Sequence, residues 1–116
     1  MKARLVLIGL GIASFAAPAF AHAFLQHAAP GAGAVLTMPP KQIALTFSEQ
    51  LEPVFSGVAV ADSSGRSVES GPVLIGKNAM VVHLRPLAPG RYRVAWHAVS
   101  VDTHRTEGAY SFTVRP

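Results

Sequence analysis

The chain has 116 residues, 50% of them apolar and 14% charged, with 10 Gly, 9 Pro, 8% aromatics and no Cys. That length holds one small domain at most, and the lack of cysteine excludes disulfides, thiolate zinc sites, iron–sulfur clusters and cysteine nucleophiles. The formal charge of +4 includes Lys2 and Arg4, which fall in a leader and drop out of the working domain.

Residues 1–21 read MKARLVLIGLGIASFAAPAFA: a basic start, an uncharged apolar run from Leu5, a helix breaker at Pro18, and small residues at Ala19 and Ala21 framing Phe20. This is the pattern of a secretory signal peptide cut after Ala21. An uncleaved membrane anchor is the rival reading, but Pro18 and the Ala-Phe-Ala triplet favour cleavage. The mature chain then runs from His22 to Pro116, with eight Lys and Arg against six Asp and Glu. A net charge of +2, carried by basic residues scattered along the sequence, does not suit a nucleic-acid binder. A soluble, exported, monomeric protein is expected.

Beyond the cleavage point, short apolar runs alternate with turn residues, and no 3.6-residue apolar pattern persists for three turns. The predicted strands are Ala23 to His27, Gln42 to Phe47, Val58 to Ala61, Val73 to Ile75, Ala79 to Leu84, Gly90 to Val99 and Gly108 to Val114. Between them lie Pro30-Gly31-Ala32-Gly33, Pro39-Pro40-Lys41, Asp62-Ser63-Ser64-Gly65, Gly76-Lys77-Asn78 and Ala88-Pro89-Gly90, all with turn chemistry. Seven short strands at this spacing predict an all-β fold, a small immunoglobulin-like Greek-key β-sandwich or barrel. Alternation points Ile43, Leu45 and Phe47 inward, likewise Met80, Val82 and Leu84, and likewise Tyr92, Val94 and Trp96, leaving Arg91 and Arg93 in solvent.

Candidate chemistry gathers at the two ends of the mature chain. Cleavage after Ala21 would leave His22 with a free amine, and an α-amino group near pKa 8 and an imidazole near 6.5 on one residue can chelate a metal together. Asp102 and His104 stand at i and i+2; in an extended segment they share a face, about 7 Å apart at Cα. Nitrogen donors with a carboxylate and no sulfur suit Cu(II) in a tetragonal site, with Zn(II) as the tetrahedral alternative. Each residue alone also has a plain structural reading, as a tolerated terminal residue or as turn chemistry. His27, His83 and His97 are read as structural, with His27 the one that a bulge in the first strand could redirect.

The run Trp96-His97-Ala98-Val99-Ser100-Val101-Asp102-Thr103-His104, followed by Gly108 and Phe112, resembles the signature of the CopC family of periplasmic copper-binding proteins. His22 after its cleavage motif, Pro30-Gly31, Phe47-Ser48-Glu49-Gln50-Leu51, Phe55-Ser56-Gly57 and Leu87-Ala88-Pro89-Gly90-Arg91-Tyr92 follow the family's order as well. The resemblance spans essentially all of the mature chain. It implies a seven-stranded Greek-key fold and one Cu(II) bound by the amine and ring of His22, the ring of His104 and the carboxylate of Asp102. Glu49 matches an acidic position beside that site, as a weak ligand or as an acceptor orienting the His22 end. It further implies a role in copper resistance or homeostasis with no reaction catalysed, and an inner-membrane copper transport protein of the CopD type as partner. Two departures stand out. Some members carry a Met-rich Cu(I) loop, where this chain has Asp62-Ser63-Ser64-Gly65-Arg66-Ser67, and Arg105 follows the histidine where proline is common.

Other functions fit less well. A histidine-brace copper oxidase that cleaves polysaccharides would need a broader substrate platform than this domain offers, and a carboxylate ligand is poorly matched to reductive oxygen activation. A hydrolase built on Ser100, Asp102 and His104 lacks a nucleophile elbow and an oxyanion hole. A metal-free, immunoglobulin-like envelope interaction domain is the remaining alternative.

Overall fold

A computed structural model describes residues 22–116; the expected leader, residues 1–21, lies outside them. Eight strands follow in chain order: β1 (Leu25–Ala29), β2 (Val35–Leu36), β3 (Gln42–Phe47), β4 (Gly57–Asp62), β5 (Leu74–Gly76), β6 (Ala79–His83), β7 (Gly90–Val99) and β8 (Arg105–Val114). A 3-10 turn at Pro53–Phe55 lies between β3 and β4. Two four-stranded sheets, ordered β1-β3-β6-β5 and β2-β8-β7-β4, face each other across the core. All pairings are antiparallel except β2 with β8. Among the described residues no helix is long and apolar enough to cross a membrane.

The inward rows read from alternation form the core. Ile43, Leu45, Phe47, Met80, Val82, Leu84, Tyr92 and Val94 are buried, joined by Val58, Val60, Phe112 and Val114. Full burial of each large apolar side chain is worth about 1.5–3 kcal/mol, which a domain of this size needs in the absence of disulfides. Tyr92 stacks on Phe112 with ring centroids 5.4 Å apart, and its hydroxyl donates to Ala88 O at 2.5 Å, closing the corner before β7. Trp96 is half-buried and packs edge-on to Phe47 at 5.1 Å. Its partner in β8 is Gly108, where a Cβ would stand 2.7 Å from the indole, so only glycine leaves room for that ring.

The turns form as their residues dictate. Asp62 Oδ1 accepts hydrogen bonds from the Ser64 amide, the Ser64 hydroxyl and the Arg66 amide, and Gly65 takes φ 83°. Lys77, at φ 54°, lies in the two-residue turn between the paired Gly76 and Ala79.

The strand count and several boundaries differ from the sequence reading, most of them by one or two residues. β2, only two residues long, pairs Val35 with Thr113 and Leu36 with Val114, too short a segment to show alternation. β1 begins at Leu25, two residues later than expected, and its pairing with β3 shifts register between Leu25 and His27. β8 begins at Arg105 and not at Gly108, because its ladder with β7 continues to Val99↔Arg105. That pairing overrides the polar composition of residues 105–107.

Candidate metal centre

The β7–β8 connection, Ser100 to His104, is a tight turn and not the extended segment expected from sequence. With β7 and β8 paired as far as Val99↔Arg105, the reversal must occur within the residues between them. The Ser100 amide donates to His104 O at 3.0 Å, the Thr103 amide donates to Ser100 O at 2.8 Å, and Thr103 has φ 72°. Asp102 and His104 therefore meet because the chain turns back, not because they share a strand face. His104 Nδ1 lies 3.4 Å from Asp102 Oδ1. The Val101 amide donates to Gln50 O at 3.1 Å and Ser100 bridges to Leu51, fixing the turn against the segment that follows β3.

Ser100 is the internal brace of this turn. It is 1% exposed, and its hydroxyl donates to Asp102 Oδ1, so it is not presented to a substrate as a nucleophile would be. That hydrogen bond is the main cause holding the Asp102 carboxyl below its usual pKa; desolvation opposes it, and the His104 side chain and amide reinforce it. The carboxylate therefore stays ionised to a lower pH than an unpartnered aspartate.

The second histidine arrives from the other end of the described chain. Residues 22–24 run as an arm ahead of β1, and Ala23 within it is fully buried. Ser48 grips this arm with both its side chain and its main chain. Its Oγ accepts from the Phe24 amide at 2.8 Å and donates to His22 O at 3.0 Å, while its amide donates to Phe24 O at 2.8 Å. From β8, Thr106 Oγ1 donates to Ala23 O at 2.6 Å. None of these bonds uses the His22 nitrogen or ring. The clasp thus sets the arm's course while leaving both potential donors of His22 available. The His22 ring lies 4.8 Å from that of His104, centroid to centroid, nearly perpendicular to it, with the exposed Phe24 ring edge-on at 5.8 Å.

Of the four residues singled out from sequence, the structure brings His22, His104 and Asp102 into one neighbourhood, with His104 touching both others. Glu49 follows Ser48 and is half-buried in the same bend. Among the described residues no three His, Asp or Glu side chains already stand as a ligand group. The remaining expected donor is a main-chain nitrogen, which is an amide as long as residue 21 precedes it. His27 and His83 are exposed, and His97 is half-buried over Gly57, where a Cβ would lie 3.0 Å from its ring. Met80 is fully buried in the core and Met38 is 80% exposed. Sequence reasoning missed the positioning roles of Ser48, Thr106 and Ser100. Serine and threonine are common in strands and turns, and nothing in their spacing shows which remote carbonyl they will meet.

Comparison with known proteins places this geometry in context. Residues 25–115 match the CopC domain family. The chain is 39% identical over 100 residues to protein YobA of Escherichia coli K12, covering 83% of this chain and 81% of that protein. It is 34% identical over 122 residues to copper resistance protein C of Escherichia coli, covering 97% and 96%. Among solved structures, CopC from Methylosinus trichosporium OB3b superposes with a TM-score of 0.75 at 33% identity, over 82% of this chain and 95% of that one.

Proposed function

The chain belongs to the CopC family, and from that premise we propose that it is an exported, periplasmic Cu(II)-binding protein serving copper resistance or homeostasis. Removal of residues 1–21 creates the His22 amine. One Cu(II) is then held by that amine and the His22 ring, the His104 ring and the Asp102 carboxylate, with Glu49 beside them as a weak ligand or an orienting acceptor. The observation that carries this reading is the 4.8 Å approach of the His22 and His104 rings, delivered from segments more than 80 residues apart in sequence.

The donor set explains the choice of ion. Imidazole, amine and carboxylate without thiolate favour Cu(II) among divalent first-row metals, and fixed carboxylate charge stabilises Cu(II) over Cu(I). Met80 is sealed in the core and Met38 stands alone, which leaves no thioether cluster for Cu(I) among the described residues. The protein sequesters or carries copper without catalysing a reaction, and an inner-membrane transport protein of the CopD type is the proposed recipient.

Export and binding are coupled in this scheme, because an amide nitrogen at residue 22 cannot replace the amine at comparable cost. The test is a Cu(II) titration with EPR on residues 22–116 bearing an authentic His22 terminus, beside the same chain with one extra residue before His22. One tight equivalent with a nitrogen-rich tetragonal spectrum in the first and marked weakening in the second is expected. Equal binding in both would remove the amine from the site.

A further inference from the structure

Dispersed along the sequence, the basic residues are gathered by the topology. The end of the sandwich carrying His22 and His104 is formed by the start of β1, the end of β3, the end of β7 and the start of β8. The opposite end holds six of the eight Lys and Arg of residues 22–116: Lys41, Arg66, Arg85, Arg91, Arg93 and Arg115. All six are exposed, and none lies within ion-pair distance of a described carboxylate. Of the Asp and Glu side chains, Asp62 and Glu69 share that end, and both bind their own turns, Asp62 through Ser64 and Arg66 and Glu69 through the Ser67 hydroxyl. The histidine end has the reverse balance. Glu49, Glu52, Asp102 and Glu107 face Lys77 and Arg105 there, and Arg105 is already 3.4 Å from Glu107.

We propose that the cationic end is a docking surface for an anionic phospholipid bilayer. Its cations come from the β2–β3, β4–β5 and β6–β7 connections, from the start of β7 and from the residue after β8. Both sheets contribute, so the charges ring the end of the molecule and do not line one groove. A single acidic peptide could meet only part of such a ring; a planar array of phosphates can meet all of it. Five of the six are arginines, whose planar guanidinium groups fork onto phosphate oxygens and are weakly hydrated. Met38, 80% exposed, stands among them beside an apolar trough of about 590 Å³ between Lys41 and Arg85, giving the ring an apolar tip for the headgroup boundary.

The opposite charge of the two ends also fixes an orientation. An anionic surface attracts the cationic end, whereas the histidine end carries no excess of cationic side chains to compete for it, so the protein stands upright on the membrane. The ten-residue β7 then holds His22 and His104 about 30 Å from the lipid, facing solution. This inference rests on the placement of charge and stands whether or not the two histidines bind copper.

The test uses residues 22–116, which contain the whole described fold, in co-sedimentation with vesicles. Binding to equimolar phosphatidylglycerol and phosphatidylcholine at low salt, none to phosphatidylcholine alone, and release on raising the salt are expected. Arg91→Glu with Arg93→Glu, on the exposed face of β7, should weaken binding at least tenfold. Arg85→Glu with Arg115→Glu, from two other segments, should do the same, so the outcome does not depend on one pair keeping its fold. Lys77→Glu at the histidine end should change binding less than twofold. Equal binding to both vesicle types, or equal losses from variants at both ends, would overturn the proposal. So would binding to polyglutamate in the absence of any binding to phosphatidylglycerol vesicles, which would point to an acidic protein segment.

Discussion

The β7–β8 turn and the arm ahead of β1 each deliver one histidine to the same place, by different physical means. The turn is local: Ser100, Asp102, Thr103 and His104 bond mainly to one another, so its shape follows from neighbours in sequence once β7 and β8 pair. The arm is held at long range, by Ser48 and Thr106 acting across 24 to 83 residues of chain. Loss of one bond in the turn leaves the hairpin to restore the shape. Loss of the clasp leaves the arm with only its backbone bond to Ser48 and the burial of Ala23.

The comparison can be broken most directly at its meeting point. His104→Ala should lower Cu(II) affinity by more than the roughly 10–100-fold that follows loss of an outer partner of a metal ligand, whereas His83→Ala, exposed at the end of β6, should leave it unchanged. Competition titration against a chelator measures both; comparable losses from the two would refute the ligand assignment.

An intermediate effect should separate arm from turn. Ser48→Ala removes two hydrogen bonds from the arm and Thr106→Ala one. At about 0.5–1.5 kcal/mol per bond, the double variant should bind Cu(II) at least about tenfold more weakly. In the metal-free protein the Phe24 amide should exchange with solvent faster while amides in the centre of β7 stay protected. If Phe24 exchanges faster and copper affinity does not move, the clasp holds the arm without serving the site.

The smallest effect sharpens the view of the turn. Because the folded-state pKa of Asp102 is depressed, its contribution to stability is present above the ordinary aspartate value of 3.8 and is lost as pH falls through the folded value. Ser100→Ala should raise that midpoint toward 3.8, as followed by carboxyl NMR. No movement would assign the depression to His104 in place of the hydroxyl.

Legibility from sequence varied by element. β3 and β7 were readable to the residue because burial alternates throughout Gln42–Phe47 and over residues 91–94 of Gly90–Val99, and a half-buried strand imposes period two. β2 carries too few residues for a period, and residues 105–107 of β8 become strand only because β7 offers a ladder. The candidate ligands were named from residue type and family resemblance, but the extended Asp-x-His geometry expected for them was wrong, since the left-handed Thr103 breaks alternation where the chain reverses.

Composition and apolar period by themselves determined that the chain would be a small β-sandwich with these core rows, and the residue types determined which atoms could hold copper, because both depend on side-chain chemistry at each position. Tertiary structure alone decided that His22 would meet His104, that Ser48 and Thr106 would hold the arm, and that six dispersed cations would share one end. Those outcomes depend on which strands become neighbours across the two sheets, and distance along the chain carries no record of distance through the fold.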